Sequence, residues 1–136
     1  MRAYREFLRR WQYRHPYPWD LWDTIEDVSG RDLDWFWQSW YYETWTLDHA
    51  VGEVSPTAQG VRVTVEDRGL VPMPVQLVLT MENGQEIRRV VPVDEWLAGK
   101  RSLTVDVATS SPVTRVEIDP ARDFPDVDRS NNVWWR

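Results

Sequence analysis

The segment "GVRVTVED", Gly60–Asp67, sets Val61, Val63 and Val65 on one face of an extended chain and Arg62, Thr64 and Glu66 on the other. Alternation of β-branched and polar residues with a period of two marks a strand buried on one side. Downstream, "PVQLVLTM" (Pro74–Met81) alternates less strictly, and Asn83–Gly84 is a hairpin signal joining it to "EIRRVVPV" (Glu86–Val93). "SLTVDVA" (Ser102–Ala108) and "VTRVEID" (Val113–Asp119) read as two further strands, and "HAVGEVS" (His49–Ser55) as one before Gly60. About six short strands separated by turn signals predict an antiparallel β-sandwich. Pro72 and Pro74 mark either an edge strand or the lead-in to one.

Upstream of Leu47 the period changes to that of a helix. Tyr4, Phe7, Leu8 and Trp11 fall at i, i+3, i+4 and i+7, the stripe of a first helix, which "RHPYP" (Arg14–Pro18) ends. Pro18 suits the first turn of a second helix with Leu21, Trp22, Ile25 and Val28 on its apolar face, and Ser29–Gly30 closes it. Asp32 is placed to cap a third helix, with Asp34 favouring its dipole. The expected fold is thus α+β. A three-helix segment occupies residues 1–46, and a small immunoglobulin-like antiparallel sandwich occupies 47–136.

The third helix is unusual. "GRDLDWFWQSWYYETW" (Gly30–Trp45) carries seven aromatic side chains. Helical spacing places Leu33, Phe36, Trp37, Trp40 and Tyr41 on one face and Trp35, Tyr42 and Trp45 on another. A helix apolar around most of its circumference is buried on more than one side, and each large ring removed from water contributes roughly 1.5–3 kcal/mol. Two faces imply two partners. Trp35, Phe36, Trp37, Trp40, Tyr41 and Trp45 are therefore the expected docking residues.

The 136 residues are 42% hydrophobic and 28% charged, which suits one domain or a small domain with a helical appendage. A net charge of −6 argues against a nucleic-acid backbone or an acidic membrane surface as partner. The chain has no cysteine, which excludes disulfides, thiolate metal sites and cysteine nucleophiles. The N-terminus has no signal-peptide apolar core, and no run approaches the roughly 20 apolar residues of a membrane span.

Each remaining chemical signal has an ordinary structural explanation. His49 and Glu53, on one strand face, lie about 13 Å apart along the chain, too far to share a metal. His15 precedes a proline and reads as a turn residue. The oxygen-rich stretch Asp119–Asn132, with Asp119, Asp123, Asp126 and Asp128, lacks the spacing of a calcium loop and reads as turns with local Asx bonds. Asp20, Asp23, Glu26 and Asp27 read as a solvated helix face. There is no G-x-S-x-G elbow and no phosphate-cradling glycine loop. No catalytic or metal-binding residue is assigned.

Three segments, taken in order, carry a family resemblance: "AYREFLRRW" (Ala3–Trp11), "WDLWDTIEDVSGRDLDWFWQSW" (Trp19–Trp40), and a sandwich beginning near "LDHAVGEV" (Leu47–Val54). This order resembles the C-terminal end of zinc aminopeptidases of the membrane alanyl aminopeptidase family, in the gluzincin group. "VSGRDLDWFWQSW" (Val28–Trp40) is similar to that family's late helix pair, with Trp37 where phenylalanine is more usual. The resemblance implies a helical subdomain closing a thermolysin-like catalytic domain, followed by an immunoglobulin-like domain. The family's H-E-x-x-H zinc motif has no counterpart, since His15 and His49 stand thirty-four positions apart. "TMENGQE" (Thr80–Glu86) contains the letters of the family's substrate-amine strand but lacks the preceding glycine and falls in a hairpin turn.

The reading that follows is a non-catalytic C-terminal portion of a zinc metallopeptidase. It needs no cofactor of its own, zinc being implied only for the parent protein, and its partner is the upstream catalytic domain. Self-association of the isolated chain is expected from the uncovered aromatic face. The alternatives are a stand-alone β-sandwich module binding protein or glycan, and a catalytically dead scaffold of the same family.

Overall fold

A computed structural model describes all residues from Met1 to Arg136. The chain divides into two compact units, Met1–Thr44 and Trp45–Arg136.

In the first unit, α1 spans Arg2–Trp11, α2 spans Pro18–Ser29 and α3 spans Asp34–Trp37. Pro18 occupies the first turn of α2, where its missing N–H costs nothing. Gly30 ends that helix at φ 66° with its N–H on the Glu26 carbonyl, 2.7 Å away. Arg10 links α1 to α2 by an ion pair with Asp27 at 2.6 Å. The stripe expected on α1 is only partly covered: Tyr4 and Leu8 are exposed, and no α1 residue is buried.

The third helix departs from expectation in two ways. Leu33 rather than Asp32 stands at its cap position, and the Asp32 carboxylate accepts the Asp34 N–H at 3.1 Å in an Asx turn. After one α-turn the backbone passes into a π-helical turn, Gln38–Tyr42, closed by the Glu43 N–H on the Gln38 carbonyl at 3.1 Å. The wider turn changes the angular position of the rings it carries. Tyr41 and Tyr42, assigned to different faces by a 3.6-residue period, both meet Trp22 edge-on, at 4.7 and 5.4 Å between ring centroids.

The second unit is two antiparallel sheets packed face to face. One has the order β1 (His49–Thr57), β2 (Gly60–Asp67), β5 (Ser102–Ala108). The other runs β4 (Glu86–Val91), β3 (Val75–Met81), β6 (Val113–Ile118), β7 (Val133–Trp135). A one-turn helix α4, Asp94–Leu97, lies between β4 and β5. Val61, Val63 and Val65 of β2 interlock with Val75, Leu77 and Leu79 of β3 in a common core that also takes in Trp96, Val116 and Ile118. This is the alternation read from Gly60–Asp67, realised as burial.

Three details refine the expected sandwich. The Asn83–Gly84 hairpin has a three-residue loop rather than two. The Gly84 N–H bonds the Met81 carbonyl at 2.9 Å, Gly84 sits at φ 81°, and the Asn83 side-chain carbonyl accepts the Gln85 N–H. Pro72 and Pro74 precede β3, an interior strand, so they form a lead-in rather than an edge. The seventh strand, β7, was not anticipated, because "VWW" is too short to show a period.

Candidate docking face and buried polar cluster

The aromatic residues of the helical unit form one connected group. Trp22 of α2 stacks on Trp37 at 5.4 Å and 16°, and Trp37 meets Phe36 edge-on at 5.1 Å. Phe36 in turn contacts Trp35 at 5.7 Å and Trp40 at 6.2 Å. Within this group only Trp22 is buried, with 8% of its surface exposed. Trp35, Phe36, Trp37 and Trp40 are half-buried, and Tyr41 is 57% exposed. Trp45, also expected to dock, is exposed and belongs to the second unit.

One residue holding this group in place was not anticipated. The Glu26 carboxylate accepts two N–H groups through the same oxygen, from the Leu33 backbone at 3.1 Å and the Trp37 indole at 3.0 Å. It thereby satisfies the open N-terminus of α3 and orients the Trp37 ring. The sequence placed Glu26 among solvated carboxylates with Asp20, Asp23 and Asp27. Of these, Asp20 bonds the Tyr17 N–H at 2.7 Å and Asp27 pairs with Arg10. No local pattern reveals a contact across eleven positions.

The second unit has a polar cluster at one end of its core. His49 and Asp67 face each other across β1 and β2, and both side chains are buried. The His49 ring stacks on Trp96 at 5.6 Å and 29°. Arg101 reaches Asp67 at 2.8 Å and also donates to the Gly69 carbonyl. Asp126 accepts the His49 backbone N–H at 2.9 Å and the Asn132 amide at 3.1 Å, and Asn132 also donates to the His49 carbonyl. Burial pushes the His49 imidazole down to about 4, against the pull of Asp126 and Asp48 toward the charged form. Burial pushes the Asp67 carboxyl up to about 6, only partly offset by the Arg101 guanidinium.

The remaining candidates take structural places. Glu53 is exposed within the bulge of β1, between Val51 and Val54. In the Asp119–Asn132 stretch, the buried Asp119 accepts the N–H groups of Asp123 and Phe124 and pairs with Arg129 at 2.9 Å. Asp128 accepts from Ser130 and Asn131. These are the Asx-type local bonds expected of the loop.

The class of protein is defined only coarsely by these features: N-terminal helices, then two packed antiparallel sheets. Comparison of the chain with protein-family models, curated proteins and solved structures yields no match.

Proposed function

We propose that the chain is a non-catalytic, C-terminal portion of an aminopeptidase-like zinc metalloprotein. Its helices pack on a catalytic domain, and its immunoglobulin-like sandwich orients that assembly. The observation that carries this reading is the half-covered aromatic group of α3 and the π-turn after it: four large rings in six residues, none of them buried. Apolar surface of this density is stabilised by a protein partner, and contiguous exposed patches on monomers mark such sites. The order of helices and sandwich, with "VSGRDLDWFWQSW" at the helix pair, supports the peptidase family as the source of that partner.

In such an assembly the zinc-activated water and the residues that bind it belong to the catalytic domain, and this chain contributes shape. Turnover of aminoacyl substrates by the 136 residues alone is not expected. The test is the coding frame immediately upstream of Met1. An in-frame H-E-x-x-H with a downstream glutamate supports the reading. A closed frame with an independent ribosome-binding site contradicts it and favours a stand-alone module.

A further inference from the structure

The helical unit contains an open cleft of about 490 Å³ whose walls are aromatic and whose charged groups are all acidic. Trp19, Trp22, Trp35, Trp37 and Tyr42 line it, together with the carboxylates of Asp23, Glu26 and Asp34. The cations of this unit that form ion pairs are committed elsewhere: Arg9 and Arg10 hold Glu6, and Arg10 also holds Asp27. Asp23, Glu26 and Asp34 have no cationic partner in the chain. Carboxylate oxygens of Glu26 and Asp34 lie within 4.8 Å of each other and of Asp32, so the negative charge of this wall is concentrated in one place.

Electron-rich ring faces and carboxylates attract the same kind of ligand. Indoles are the strongest cation–π partners among side chains. A guanidinium is planar, weakly hydrated, stacks on flat rings and bonds carboxylates through a fork, whereas an ammonium is a strongly hydrated point charge. One Glu26 oxygen already serves α3, which leaves the other for a ligand. We propose that this cleft binds an arginine side chain presented by a partner protein, stacked among the tryptophans and neutralised by Asp23, Glu26 and Asp34. The proposal goes beyond the peptidase reading and does not depend on it, since any partner that seats an arginine here would satisfy it.

The test is titration of the full chain with N-acetyl-arginine amide, followed by the indole N–H resonances of the ten tryptophans. The expected result is saturable shifts of Trp19 and Trp37 in roughly the millimolar range, with Trp96, Trp134 and Trp135 of the sandwich unmoved. Asp23→Asn and Glu26→Gln, the latter keeping its acceptor oxygen for α3, should each weaken binding roughly threefold. Trp19→Ala should weaken it with only a small drop in melting temperature, from the loss of its stack on Tyr17, 4.6 Å between centroids. The neutral isostere N-acetyl-citrulline amide should not bind. Equal shifts with citrulline or lysine amide, displacement of the arginine probe by millimolar calcium, or shifts spread over all ten indoles would each overturn the assignment.

Discussion

His49 stands directly opposite Asp67 on adjacent strands, and the fold inverts the proton preference of the two side chains. At pH 5 a free histidine carries a proton and a free aspartate does not. Here burial moves the imidazole to about 4 and the carboxyl to about 6. At that pH the folded chain favours the neutral form of each group, and the unfolded chain the charged form of each.

This inversion predicts an unusual pH dependence. The Asp67 contribution to stability is complete below about 3.8, the free-aspartate value, and is lost as pH rises through 6. The His49 contribution is complete above 6.5 and is lost as pH falls through 4. Between pH 4 and 6 the two slopes, each about 1.4 kcal/mol per pH unit, oppose and largely cancel. Asp67→Asn should unmask the histidine, so the melting temperature falls as pH drops from 6.5 to 4. His49→Gln should unmask the aspartate, so it rises over the same interval from pH 6 downward. Parallel profiles in both variants would contradict the inversion.

Gly69 predicts a steric effect. A Cβ added there would sit 2.2 Å from the Thr46 carbonyl oxygen and 2.7 Å from the Asp48 nitrogen, both backbone atoms. Gly69→Ala must displace the segment that leads into β1, at a cost of about 1–3 kcal/mol. Gly84→Ala meets no atom within 4 Å and is strained by its positive φ alone, at about 1–2 kcal/mol, a cost that asparagine largely escapes. Urea denaturation measures the contrast: Gly84→Asn should be tolerated and Gly69→Asn should not, and equal losses would refute it.

Glu26 separates charge from hydrogen bonding. Glu26→Ala leaves the Leu33 N–H and the half-buried Trp37 indole without their acceptor, and should cost about 1–3 kcal/mol. Glu26→Gln retains an acceptor oxygen and should cost well under half as much. Near-ultraviolet circular dichroism reads the Trp22–Trp37 stack directly, and its signal should weaken in the alanine variant only.

Arg129 neutralises a buried carboxylate. Arg129→Ala leaves Asp119 with its two backbone N–H bonds but no cation, at a cost of about 3–5 kcal/mol. Adding Asp119→Asn should recover part of the loss, because the charge requiring a partner is gone. A double variant no more stable than Arg129→Ala would show that the ion pair is not the source.

The sandwich was legible because Val61, Val63 and Val65 alternate with polar residues, and burial on one face demands that pattern. Gly30 and Pro18 likewise announced their helix ends by backbone geometry that few residues share. The π-turn was not legible, since a single extra residue per turn leaves no trace in an all-aromatic stretch where every register looks apolar. Nor were the roles of Glu26 and Asp67, which depend on partners eleven and eighteen positions away in a fold the sequence does not spell out locally. Helical spacing alone pointed to the docking residues. The structure adds that Trp22, Trp37, Tyr41 and Tyr42 form one group around a buried indole.

The most direct test of the uncovered aromatic face is multi-angle light scattering of the purified chain across a hundredfold concentration range. The apparent mass should rise with concentration and return to the monomer value when Phe36 and Trp40 are replaced by serine with the sandwich left intact. A strictly monomeric wild-type chain that also fails to bind a hydrophobic dye would contradict it.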